Sequence, residues 1–276
     1  MSEKESTPVS LARKVAAAFG VLPSVEAVAL GGSQAGGRVD SHSDIDVYVY
    51  TNSSIPVADR QGIVTSLGAE RLEINQTFWD VADVWRDAGT GIEVEAVYWA
   101  TDWTKAMLDR VLVHHRAANG YSTSHWCTIR NSMCLHDKTG WFASLQRRSR
   151  QPYPEQLRRA IVARNHPMLR KITLSYRNQI KKAIDRDDPV SVNHRVTELL
   201  ASYFDVLFAL NRVLHPGEKR LLELASERCA KVPANMQTQV RKMIQATSKG
   251  DQALMGEIDE LISALDRLLL EEGLDV

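Results

Sequence analysis

The hydrophobic pattern of this chain changes period near residue 100, and that change limits the folds open to it. Before it, short apolar runs alternate or turn wholly apolar, as strands do: residues 25–30 read VEAVAL, 45–50 read IDVYVY and 92–99 read IEVEAVYW. Gly89-Thr90-Gly91 marks a turn ahead of the last of these. Residues 9–19 place Leu11, Val15 and Phe19 on one helical face, with Ser10 at the N-cap. Residues 57–70 read as helix, and 73–84 as extended chain. From Asp102 onward helical spacing takes over, with breaks near Gly120 and Gly140. Pro152 and Pro154 mark a linker, and six helices are expected beyond it, over about 155–165, 167–186, 189–213, 217–230, 235–247 and 251–271. The expected fold class is α+β: a small mixed-sheet domain over residues 1–150, then an all-helical domain over 151–276.

Composition excludes several functional classes. Of 276 residues, 44% are hydrophobic and 25% charged, which suits a globular core rather than a disordered chain. The 34 basic and 34 acidic side chains cancel, so no overall field draws the protein to nucleic acid or to a membrane. Cys127, Cys134 and Cys229 are odd in number and include no CxxC pair, which argues against a disulfide framework or a structural zinc site. The opening MSEKESTPVS is too polar for a signal peptide, and no apolar run is long enough to span a bilayer. A cytoplasmic location is the expectation.

The chemistry-bearing stretch follows the first strand. Leu30-Gly31-Gly32-Ser33 is separated by ten residues from Asp44-Ile45-Asp46-Val47. Glycines let backbone turn tightly and approach a ligand, and the free N–H groups of a helix start favour phosphate. The Ser33 hydroxyl adds a donor. Asp44 and Asp46 are two apart on a strand, so their carboxylates share a face, with Cα atoms about 6.6–6.8 Å apart. Paired hard oxygen donors suit Mg²⁺, which bridges to substrate phosphates. A third carboxylate from a neighbouring strand would complete a two-metal site.

The segment GGSQAGGRVDSHSDIDVYVY resembles the signature of the polymerase-β-like nucleotidyltransferase superfamily, in particular its bacterial branch with a helical C-terminal domain. That branch includes the aminoglycoside nucleotidyltransferases and uncharacterised relatives. The resemblance implies transfer of a nucleoside monophosphate from an NTP, with ATP expected, to an acceptor hydroxyl, assisted by two Mg²⁺ ions. It implies metal binding and catalysis by Asp44, Asp46 and an acid of strand 92–99. Glu93 and Glu95 share a face there, and the family pattern favours Glu95, which precedes the apolar run Ala96-Val97-Tyr98. Nucleotide contacts fall to Gly32, Ser33, Asp44, Asp46 and, in HPGEKRLL, Lys219, with Asn211 a weaker candidate. The chain departs from the family where arginines often follow Gly-Ser: it has Gln34 and Gly36, with Arg38 beyond. The implied acceptor is a small molecule such as an antibiotic. Nucleotidylation of protein or tRNA, of toxin/antitoxin type, and a non-catalytic nucleotide-binding regulator are the alternatives.

Two further features stand out. Residues 147–186 carry twelve basic side chains against Glu155 and Asp185. They read either as solvated helix faces or as a basic wall beside an NTP or an acidic acceptor, with Arg170, Arg177 and Lys181 on one helical face. Trp79, Trp85, Trp99 and Trp103 read as core packing or as the lining of a cleft over the carboxylate strands. Aromatic residues are sparse within the basic stretch, so no nucleic-acid stacking platform is expected.

Overall fold

In a computed structural model the described residues are 7–31 and 44–274. The chain divides into two compact units, Met1–Leu108 with Thr128–Gln151 and Asp109–Cys127 with Pro152–Val276.

The first unit is built on a six-stranded mixed sheet. Its strands are β1 (Val25–Leu30), β2 (Ile45–Thr51), β3 (Ala69–Gln76), β4 (Ala82–Asp87), β5 (Glu93–Ala100) and β6 (Met133–Asp137), in the order β3-β4-β5-β2-β1-β6. Among the described strands β2 and β5 pair in parallel and the other pairs are antiparallel. Helices α1 (Thr7–Gly20) and α2 (Val57–Ser66) share one core cluster with the sheet. Leu11, Val15 and Phe19 of α1 and Val64 of α2 meet Val28, Leu30, Ile45, Val47, Val49, Val94 and Ala96 there. Strand alternation therefore turns Asp46, Tyr48, Glu95 and Trp99 to the opposite face.

Several boundaries differ from the sequence reading. Helix α1 already runs from Thr7, so Ser10 lies inside it and is not the N-cap. Helix α2 stops at Ser66, because Gly68 adopts φ +81° and the chain enters β3 at Ala69. Such a left-handed glycine is the usual way to end a helix. Strand β6 interrupts the stretch that reads as helical after Asp102. Its five residues are too few to set a period of two, and they take strand form by adding to the free edge of β1. A buried ion pair ties α2 to the sheet: Arg60 Nη1 lies 3.0 Å from Asp83 Oδ1, with the two side chains 4% and 0% exposed.

The remaining helices are α3 (Thr101–Leu112), α4 (Ser124–Asn131), α5 (Trp141–Ser149), α6 (Glu155–Arg170), α7 (Tyr176–Ile184), α8 (Pro189–Leu210), α9 (Leu221–Arg228), α10 (Met236–Thr247) and α11 (Gln252–Glu271). In the second unit α8 is the central element. Asp188 caps it by accepting from Ser191 N–H at 3.0 Å, and Pro189 opens it. Every residue from Ala201 to Leu210 is buried, as for a helix surrounded on all sides.

Within that buried turn, Asp205 ties down the segment 109–127. Its carboxylate accepts from Ser122 N–H (3.0 Å), Ser122 Oγ (2.6 Å) and Asn165 Nδ2 (3.1 Å). Asn165 Oδ1 in turn accepts from Gly120 N–H at 2.9 Å. Burial pushes the Asp205 carboxyl up to about 6, against the lowering effect of the Ser122 hydrogen bonds. A carboxyl whose pKa is raised on folding stabilises the fold below its unfolded value, and that contribution is lost as pH rises through the folded value. Urea unfolding at pH 5 and pH 7.5 should therefore show wild type losing stability, relative to Asp205→Asn, by on the order of 1 kcal/mol. An unchanged difference between the two proteins would show that Asp205 titrates normally.

Candidate active site

The parallel pair β2–β5 builds the site. In its register Asp46 stands opposite Glu95, with Ile45 opposite Val94 and Val47 opposite Ala96. Adjacent strands lie about 4.8 Å apart, so the two carboxylates leave the same face from neighbouring positions. Both side chains are half-buried. Asp44 is exposed, one residue ahead of β2. Glu93 is also exposed and pairs across β4 with Arg86, whereas Glu95 pairs with Val84. The register thus sets Glu95, and not Glu93, against Asp46. Gly32 and Ser33 lie outside the described residues, as do Gln34, Gly36 and Arg38.

An aromatic floor adjoins these acids. The Tyr48 ring meets Trp99 at a centroid distance of 4.4 Å, and Trp99 meets Trp103 at 5.3 Å. The Trp99 indole N–H donates to Asp80 Oδ2 at 3.2 Å. Burial, and then the charges of Asp46, Glu95 and Asp80, hold the Tyr48 hydroxyl well above the usual tyrosine range. It therefore stays protonated, with Thr128 as a hydrogen-bond partner. Tyr48 and Asp80 were not singled out in the sequence. The signal for Tyr48 was present, since it follows Asp44 and Asp46 at the same spacing of two. Asp80 gave none. Of the tryptophans read as a cleft lining, Trp85 belongs instead to the core cluster, while Trp79 is 89% exposed.

Gly31 is explained by the same ring. Its N–H donates to the Asp46 carbonyl at 2.8 Å, and a Cβ there would come within 2.2 Å of a Tyr48 ring carbon. The bare Cα makes room for Tyr48 rather than for a ligand. Gly31→Ala should cost about 1–3 kcal/mol of unfolding free energy, as overpacking does. Urea denaturation checks this, and an unchanged midpoint would show that the ring has space to move.

Among the described residues no three His, Cys, Asp or Glu side chains gather closely enough to cage a metal ion. The donors form an open face instead. That arrangement suits Mg²⁺, which is usually held by one or two carboxylates plus substrate phosphates rather than by a dedicated protein cage.

In the second unit Lys219 is exposed on the turn between α8 and α9. Buried His215 shapes that turn: its Nδ1 accepts from Gly217 N–H at 3.2 Å, and Gly217 has φ +105°. Asn211 has a structural task. Its amide donates to the carbonyls of Leu207 and Lys231 and accepts from Lys231 N–H.

Five side chains of the basic stretch, Arg158, Arg159, Arg170, Arg177 and Lys181, meet carboxylates. Arg177 bonds Asp259 twice at 2.6 Å, and Arg170 bonds Asp266, both acids lying on α11. Arg158 pairs with Glu155 at 3.1 Å and Glu272 at 3.3 Å, Arg159 with Glu155, and Lys181 with Asp185. The helix expected over 167–186 breaks between Arg170 and Tyr176, so Arg170 and Arg177 stand on different helices. His166 is likewise structural, with Nε2 2.5 Å from Asp266 Oδ1.

A family model described as a domain of unknown function, DUF4037, matches residues 121–221. That stretch contains Ser122, Asn165, Asp205 and Lys219. Among solved structures the chain is similar to a nucleotidyltransferase-like protein from Exiguobacterium sibiricum 255-15, at 11% identity and a TM-score of 0.42, over 95% of this chain and 74% of that one. It is also similar to a CCA-adding enzyme of Thermotoga maritima complexed with tRNA, at 12% identity and a TM-score of 0.33, over 99% of this chain and 84% of that one. No curated protein matches in sequence.

Proposed function

We propose that this protein is a Mg²⁺-dependent nucleotidyltransferase that transfers NMP from an NTP, ATP being the first candidate, to the hydroxyl of a small acceptor. The observation that carries this reading is the pairing of Asp46 with Glu95 across parallel strands, with Asp44 two residues upstream. Asp46 and Glu95 would hold Mg²⁺ together with the substrate phosphates, with Asp44 a further carboxylate ahead of the strand, and the bound ion would supply charge neutralisation on the phosphates.

The protein's own part is positioning and proton transfer. The acceptor oxygen forms a bond to the α-phosphorus as the bond to the bridging oxygen breaks, and pyrophosphate leaves. The acceptor proton passes to a Glu95 carboxylate oxygen, the general-base role. A small acceptor is the first candidate, and Arg158, Arg159, Arg170, Arg177 and Lys181, which meet carboxylates of the protein, offer less charge to a polyanion than the sequence alone suggests. Among the described residues no helix is long and apolar enough to cross a membrane.

The test is incubation with each α-labelled NTP, Mg²⁺ and a panel of hydroxylated antibiotics, tRNA and cell extract. Label transfer with Mg²⁺-dependent pyrophosphate release is the expected result. NTP binding without turnover on any acceptor would point to a nucleotide-binding regulator. Equal NTP affinity in EDTA would overturn the site itself.

A further inference from the structure

Two large aromatic rings stand in water at one end of the sheet. Phe78 and Trp79, in the turn between β3 and β4, are 83% and 89% exposed. The turn is anchored directly behind them. The Asp80 carboxylate accepts from the Trp99 indole N–H at 3.2 Å, and the Val81 carbonyl accepts from Tyr98 N–H at 2.9 Å. The rings meet edge to face, with centroids 5.2 Å apart. Contiguous large apolar side chains left exposed in this way mark an interaction surface.

A cavity of about 560 Å³ lies beside the same turn: Asn75 and Val81, one on each side of it, both line the cavity. The apolar wall is Ile55, Pro56, Val57, Val81, Tyr98 and Ala100. Val57 and Val81 are exposed and carry that wall out to the surface. The volume falls within the range of about 300–1,000 Å³ that encloses a small organic body. Among the described residues lining it, Arg60 is the one charged side chain, and its charge is engaged: Nη1 lies 3.0 Å from Asp83 Oδ1, both side chains being buried. With no free charge to answer an ion, the cavity suits a neutral ring. Phe78 and Trp79 of the same chain do not line it.

We propose that this end of the sheet is a self-association surface, on which a second copy of the chain docks and each copy places Phe78 and Trp79 in the cavity of the other. Rings and cavity adjoin on one patch, so a two-fold axis beside them satisfies both at once and closes the assembly at two copies. Rings far from the cavity that takes them would instead chain copies into open polymers. Buried aromatic rings contribute about 150–250 Å² each. Two rings from each copy, with the walls opposite them, bring the total to about 1,200–2,000 Å², the size of a specific interface. Because the turn is already anchored, docking orders few groups. The carboxylate face stays open, since Asp46 and Glu95 lie five residues upstream of Thr51 and Ala100 at the cavity, about 16 Å along the strands. This assignment does not rest on the nucleotidyltransferase reading.

Sedimentation velocity on the full chain, from about 1 to about 100 µM, tests it. The expected result is a monomer–dimer equilibrium with Kd at or below about 10 µM and no larger species. Phe78→Ser combined with Trp79→Ser removes the rings. Val57→Asp puts a charge on the cavity wall at the first position of α2, where an acid favours the helix. Each protein should keep the wild-type circular dichroism spectrum and show a dimer Kd raised at least about thirtyfold, the effect of truncating anchor aromatics or burying an unpaired charge. Mixed together, the two variants should form a heterodimer tighter than either homodimer, because the rings of one meet the unaltered cavity of the other. The proposal is overturned if wild type stays monomeric at about 100 µM, if species grow beyond the dimer, if either variant dimerises like wild type, or if mixing restores nothing. Wild-type monomer that floats with phosphatidylcholine vesicles, and no longer does so without its two rings, would also overturn it and assign the rings to a lipid surface.

Discussion

Asp46→Asn should lower nucleotidyl transfer by at least about a hundredfold while the protein still melts cooperatively near the wild-type temperature. The substitution keeps the shape of the side chain but removes the charge that opposes Mg²⁺. Electrostatic groups aimed at developing charge are commonly worth about 10²–10³ in rate. The fold should tolerate it, because Asp46 holds the strand through its main chain: its carbonyl accepts from Gly31 N–H at 2.8 Å, and it pairs in register with Glu95. Asp44→Asn should behave alike, since Asp44 is exposed ahead of β2 and contributes nothing to the core. Initial rates with Mg²⁺ and ATP, beside thermal melts of the same samples, check both. Turnover close to wild type in either variant would remove that residue from the metal site.

Glu95→Gln should reduce kcat and kcat/KM together by about 10²–10⁴, the range of a general base, and weaken nucleotide binding far less. Glu93→Gln should stay within about tenfold of wild type, because its carboxylate leaves the strand one repeat away, about 6.6–6.8 Å in Cα spacing. The physical basis is the β2–β5 register. Glu95 stands beside Asp46, while Glu93 is exposed and stands across from Arg86. Parallel steady-state kinetics on the two variants decides the matter. An inactive Glu93→Gln protein with an active Glu95→Gln protein would mean that the working geometry follows a register two residues away. Two active proteins would mean that the completing acid is another, and Asp80, whose charge reaches Tyr48, would be the first to substitute.

The division between a mixed-sheet part and a helical part was legible in the sequence. So was the alternation that turns Asp46 away from the core, whereas Asp44 lies one residue ahead of β2. Both depend on local periodicity: side chains alternate along β2 whatever packs around it, and the apolar spacing of α8 and α11 needs no knowledge of neighbours. Choosing between Glu93 and Glu95 was different in kind. Both sit on the same face of β5, and only the pairing of β5 with β2, remote in sequence, says which of them meets Asp46.

The features missed in the sequence share that cause. Strand β6 is five residues whose strand form comes from the open edge of β1. The arginines and lysines over 147–186 read equally as solvated faces or as a charged wall, and only the fold shows that Arg170 and Arg177 are met by Asp266 and Asp259 of α11, about 90 residues away. Gly31 announces a close approach, but only the folded sheet shows that the approaching group is the Tyr48 ring. By itself the sequence determined the elements and the chemistry available on each face, because those follow from side-chain identity and backbone period. Tertiary structure decided which charges are neighbours and which are spent on one another, because electrostatic pairing falls off over a few ångströms and is set by strand register and helix contact rather than by distance along the chain.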